Sequence, residues 1–60
     1  MKYEITDLKE IDEETGDFRS YQVEGPDECR NSLDREIVNL CIEFGDDIKM
    51  GSVLVHRVSV

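Results

Sequence analysis

The sequence predicts an α+β fold: a small antiparallel sheet of three to four strands, made of an N-terminal hairpin plus C-terminal strands, with one helix starting near Pro26. Three observations carry that expectation. Turn chemistry at Glu14-Thr15-Gly16-Asp17 separates two strand-like runs. Gly25-Pro26-Asp27-Glu28 reads as a helix start, with proline in the first turn and acids at the positive end of the helix dipole. The run from Ser52 to Val60 is dense in β-branched residues.

The first strand opens at Tyr3, Ile5 and Thr6, and Leu8 and Ile11 continue it with a break in strict alternation. Such a break marks a bulge, which bends a strand. The second strand runs from Phe18 to Glu24, with Arg19, Tyr21 and Val23 on one face and Phe18, Ser20 and Gln22 on the other.

Beyond Pro26 two patterns compete. Cys29, Leu33, Ile37, Leu40, Cys41 and Phe44 fall at helical spacing, with Gly45 placed to end the helix. Val38, Leu40, Ile42 and Phe44 also alternate. Arg30 and Asp34 would intrude on the apolar face of one long helix, so the expectation is a short helix from Pro26 to about Arg35. A strand from Glu36 to Phe44 follows, then a loop bracketed by Asp46-Asp47 and Gly51. In the last strand Val53 and Val55 share one face, and Leu54, Val58 and Val60 share the other. A strand apolar on both faces is central in a covered sheet or part of an interface.

Sixty residues beginning at Met1 read as one small acidic domain, residues 1–60. A chain of this size buries only about 60% of the surface that its unfolded form exposes. Disulfides, a metal or self-association commonly supply the missing stability. Cys29 and Cys41 form no CxxC pair, and a zinc site would need more ligands than His56 can add. The two thiols are expected to be reduced and buried, no cofactor or metal is expected, and a homodimer becomes the expected remedy. No basic segment followed by an apolar run opens the chain, and no apolar stretch approaches a membrane span. The expectation is a soluble, cytoplasmic protein without membrane contact.

Fifteen acids face seven bases, a net charge of −8. The excess is uneven. Residues 1–28 hold ten acids and three bases, a net of −7, and residues 29–60 hold five acids and four bases, a net of −1. Such a surface repels nucleic acid and attracts basic protein patches over about 8 Å at physiological salt.

Catalysis lacks its parts. His56 is the single histidine, the four serines sit in no nucleophile motif, and no glycine-rich phosphate loop is present. A calcium loop counted from Asp12 fails as well, because its glycine comes one residue early and its closing acid, Glu24, one late. The chain therefore reads as a non-enzymatic binding protein.

The candidate site is the carboxylate array: Glu4, Glu10, Asp12, Glu13, Glu14 and Asp17 in the hairpin, Glu24, Asp27 and Glu28 at the helix start, and Asp46 and Asp47 on the later loop. Glu4, Glu10, Asp12 and Glu14 share one parity, so unbroken alternation would set same-side neighbours ~6.6 Å apart, close to a phosphate spacing. In size, charge and strand content the chain resembles the small acidic DNA-mimic inhibitors that bacteriophages make during host takeover. The resemblance implies that these carboxylates occupy the basic DNA-binding surface of a host protein, with an HU-like nucleoid protein favoured and no direct nucleic-acid binding. The alternative is a structural or accessory subunit that docks through an apolar sheet face and carries its charge for solubility alone.

Overall fold

In a computed structural model, which describes residues 1–59, the chain forms one four-stranded antiparallel sheet and one α-helix. Val60, read above as part of the last strand, lies outside the described residues. The elements are β1 (Lys2–Ile11), β2 (Phe18–Val23), a 3-10 turn at Pro26–Glu28, α1 (Ser32–Phe44), β3 (Ile48–Met50) and β4 (Val53–Ser59). The strand order is β2-β1-β4-β3, so the first and last long strands pair at the centre and β2 and β3 form the edges.

The antiparallel α+β expectation holds, as do the hairpin and its irregular first strand. Register runs without interruption from Tyr3 opposite Val23 to Asp7 opposite Arg19, then jumps to Ile11 opposite Phe18. The turn is closed by Asp12 N donating to Asp17 O and Gly16 N donating to Asp12 O, both at 2.8 Å. Gly16 has φ +77°, a conformation that side-chain-bearing residues rarely adopt.

The second half requires three corrections. Pro26 starts only a 3-10 turn, and the α-helix begins at Ser32. Residues 36–44, expected as a strand, belong to that helix. Residues 48–50, expected inside a loop, form the short edge strand β3, paired to β4 from Ile48 opposite Val55 to Met50 opposite Val53.

The physical reason lies at the helix start. Asn31 is the N-cap: its side chain accepts from Asp34 N at 2.8 Å, and its carbonyl accepts from Arg35 N at 3.1 Å. Arg30, which argued against a long helix, lies before the cap and outside the helix. Asp34 does fall on the inner face, buried at 7% exposure, yet its Oδ2 accepts hydrogen bonds there from Tyr21 and Asn31. At the other end Gly45 takes φ +74° and closes the helix by donating to Cys41 O.

The core lies between α1 and one face of the sheet. Ile37, Val38 and Cys41 from the helix meet Tyr3, Ile5, Val23, Val53 and Val55 from the strands, with Cys29 closing the side and Tyr21 and Ile48 packed around them. Ile37, Val38 and Val55 are fully buried. Among the described residues no element covers the opposite sheet face, which presents Glu4, Thr6, Phe18, Ser20, Gln22, Leu54 and His56. No helix among the described residues is long and apolar enough to cross a membrane.

Candidate acidic interaction surface

The hairpin outgrows the sheet. β4 pairs with β1 only from Lys2 to Asp7, and the last link to the β3–β4 turn is Leu8 N donating to Ser52 O at 2.7 Å. From Lys9 to Arg19, among the described residues, the hairpin is an arm with no strand pairing to β4 and no backbone hydrogen bond to the chain outside the hairpin. The molecule is correspondingly elongated, 33 × 23 × 19 Å. Residues 9–19 hold five acids (Glu10, Asp12, Glu13, Glu14, Asp17) and two bases (Lys9, Arg19), a net of −3.

Two of those acids also serve local structure. Asp12 Oδ1 accepts from Glu14 N at 2.9 Å and braces the turn. Glu10 pairs with Arg19 at 3.5 Å, with both side chains more than half exposed; an ion pair in that setting adds little stability. Glu13, Glu14 and Asp17 are exposed, and among the described residues no ion pair or side-chain bond engages their carboxylates.

The expected single line of carboxylates does not form. Across the register jump between Asp7 and Ile11, Glu10 ends beside Arg19 on the helix side of the sheet, where both line a cleft with Ile5, Tyr21 and Asp34. Glu4 lies on the opposite, open face. There it accepts from Gln22 Nε2 at 3.3 Å and faces His56 Nε2 at 3.8 Å, so its charge is engaged within the sheet surface. Asp12 and Glu14 lie past the strand end, in the turn. A bulge that inserts an odd number of residues reverses every later side chain, and parity counted through it fails.

The remaining candidates form two further groups. Glu24, Asp27 and Glu28 are exposed at the far end of β2, where Glu28 Oε1 accepts from Glu24 N at 2.8 Å. Asp46 and Asp47 follow α1 on the rim of an open groove of about 610 Å³ with Tyr3, Ile42 and Arg57. The acids thus mark three places: the arm, the exit of β2 and the end of the helix.

The sequence reading missed an apolar pair on the arm. Ile11 and Phe18 sit directly opposite each other across the hairpin, 57% and 48% exposed, with the arm's carboxylates on either side in sequence. An exposed aromatic residue ringed by charge is a common arrangement at protein interfaces. The signal was present as the residues that flank the turn, since the first pair after a tight turn must share a face.

Burial shifts both thiols and one phenol away from their ionised forms. Cys29 and Cys41 are free and buried, and burial pushes both thiols up, away from the reactive thiolate. Tyr21 is pushed up to about 12, first by burial and further by the Asp34 carboxylate to which it donates. Among the described residues no group of three or more His, Cys, Asp or Glu side chains is placed to hold a metal ion. Comparison with protein-family models, with curated proteins and with solved structures finds no match.

Proposed function

We propose that the protein is a non-catalytic binding protein that acts as a DNA mimic, setting its carboxylates against the basic DNA-binding surface of a partner protein. The observation that supports this reading is the projecting arm. Glu13, Glu14 and Asp17 stand at its tip, with no counter-charge among the described residues, on a hairpin that extends beyond the pairing of β1 with β4. Glu24, Asp27 and Glu28 continue the negative charge at the other end of β2. An arm of this shape reaches into a groove or between the arms of a DNA-binding protein, where phosphates would otherwise lie. Displacement of counterions from the basic surface would drive association and weaken it as salt rises.

The rival reading, docking through an apolar sheet face, has less support. The uncovered face mixes Leu54 and the exposed Phe18 with Glu4, Thr6, Ser20, Gln22 and His56, a more polar than apolar surface. β4 lies between β1 and β3, so a dimer seam built on it would have to use that same face.

The test is competition. A purified HU-like protein bound to labelled duplex DNA is titrated with the chain at low and at moderate salt. The mimic displaces the DNA, loses strength steeply with salt, and shows no affinity for DNA alone. Titration of further basic DNA-binding proteins in the same format extends the test, and absence of displacement from all of them at low salt ends the proposal.

A further inference from the structure

The two edges of the sheet are not alike. β3 is three residues long, and a short edge strand offers little backbone to pair with. β2 is six residues long, Phe18–Val23, and occupies the other edge. Alternate residues of an edge strand turn their N–H and C=O groups outward, and proteins usually block such a row with proline, lysine, a bulge or a covering loop. β2 contains no proline and no lysine, and the irregularity of the hairpin falls in β1. Its one cation, Arg19, is engaged by Glu10. Among the described residues no turn or loop backbone bonds to the main chain of residues 18–23; the one loop N–H that reaches β2, from Arg30, goes to the Tyr21 hydroxyl.

The flanking charge says which occupant this edge takes. Acids stand at both ends: Asp17 with the rest of the turn before the strand, and Glu24, Asp27 and Glu28 after it. A second copy pairing antiparallel with β2 about a two-fold through Ser20 or through Tyr21 would bring Asp17 of each copy within one residue of Glu24 of the other, twice. Like charges brought together across strands repel, and two chains each of net charge −8 repel before they meet. A basic chain meets the reverse condition at both ends. Phe18, 48% exposed at the start of the strand, adds an apolar contact.

We propose that the outer edge of β2 is a strand-addition site for an extended basic segment of a partner protein. The segment's main chain bonds to residues 18–23, an apolar side chain covers Phe18, and lysines or arginines at its two ends meet Asp17 and Glu24. The span between those acids is roughly 23 Å at the rise of an extended chain. The inference rests on the reading that the partner is basic, and it adds that the partner is held through backbone hydrogen bonds as well as charge. Strand addition draws affinity from the main chain and specificity from alternate side chains.

The test uses the full chain and a synthetic peptide of alternating lysine and valine, long enough to span β2. Two controls accompany it: the same peptide with prolines in place of its valines, and oligolysine. Amide hydrogen exchange and backbone amide shifts are read by NMR at low and moderate salt. At a free peptide concentration about tenfold above Kd, the outward amides of residues 18–23 should exchange about tenfold more slowly. The proline peptide and oligolysine should move only resonances near the acids and be released by salt. Equal effects from the alternating and proline peptides, protection confined to another part of the sheet, or no binding of the alternating peptide overturns the proposal. The two proposals fail separately. DNA competition without protection of β2 keeps the mimic and removes strand addition, whereas protection without DNA competition does the opposite.

Discussion

Carboxylates in this protein receive two opposite treatments, and the contrast between Asp34 and the arm shows what each is for. Asp34 is buried against the sheet and accepts hydrogen bonds from Tyr21 Oη at 2.5 Å and from Asn31 Nδ2 at 3.3 Å. Arg30 stacks over the Tyr21 ring at 4.1 Å and donates its backbone N–H to the same phenol oxygen at 3.2 Å. Every buried side-chain polar atom among the described residues is satisfied. The arm does the reverse, holding Glu13, Glu14 and Asp17 in solvent with no partner for their charge among the described residues. One negative group fastens β2 to the start of α1. The others do nothing for the fold, which leaves them free for a partner.

The contrast is broken most severely at Asp34. Asp34→Ala leaves the Tyr21 hydroxyl and the Asn31 amide without their acceptor. The expected cost is about 3 kcal/mol, the range seen when one member of a buried charged network is removed. In a domain of this size such a loss takes up much of the total stability. Chemical denaturation monitored by far-ultraviolet circular dichroism measures it. A variant as stable as the parent would mean that Asp34 is not the clasp described here.

Tyr21→Phe is a milder cut through the same network. It removes one donor to a charged acceptor while keeping the ring beneath Arg30, at an expected cost of about 2 kcal/mol. Its pH signature is distinctive. Tyr21 is neutral in the folded protein up to about 12, whereas the unfolded chain ionises near 10.0. A raised folded value means that the contribution is fully present below pH 10 and is lost as pH climbs from about 10 to about 12. Stability should therefore fall across that window in the parent and fall less in Tyr21→Phe. Equal slopes in the two proteins would disprove the assignment.

Asn31→Ala removes the side-chain cap that receives Asp34 N, at an expected cost of about 1 kcal/mol. The cap is also where the sequence reading went astray. Strand pairing in the hairpin was legible because alternation, turn residues and the break before Ile11 all agree on one answer. The segment from Glu36 to Phe44 supports two periodicities at once, and the choice fell on the apparent intrusion of Arg30 and Asp34 into an apolar face. That objection assumed that polar residues on an inner face stay unsatisfied. Asn31 followed three residues later by Asp34 has the spacing of a capping box, a start signal that places Arg30 outside the helix and gives Asp34 a reason to be inside. The donor from Tyr21 is a long-range contact that no local pattern reveals.

The acidic site was half legible for a related reason. Which residues carry the charge is written in the sequence, and Glu13, Glu14 and Asp17 are exposed as their turn context requires. Their arrangement depends on the register jump in β1, which sends Glu10 to the helix side and leaves Glu4 on the open face. Counting parity through an expected bulge was the error. The Ile11–Phe18 pair is obscured in the sequence for the same reason, since it forms only through the register jump that brings Ile11 opposite Phe18.

The smallest expected effect on stability gives the sharpest test of the contrast. Glu13→Gln, Glu14→Gln and Asp17→Asn, made together, change no volume in the core and remove no acceptor that the turn uses, since Asp12 braces it. Exposed substitutions of this kind fall within about 0.5 kcal/mol of neutral, and here the sign should favour the variant because mutual repulsion on the arm is relieved. Displacement of DNA from the basic partner should weaken at the same time, and the salt dependence of log K should flatten by up to about three contacts' worth of counterion release. A variant with unchanged stability and unchanged salt slope would return the arm's charge to solubility alone. A variant that unfolds would show that the arm, like Asp34, belongs to the fold.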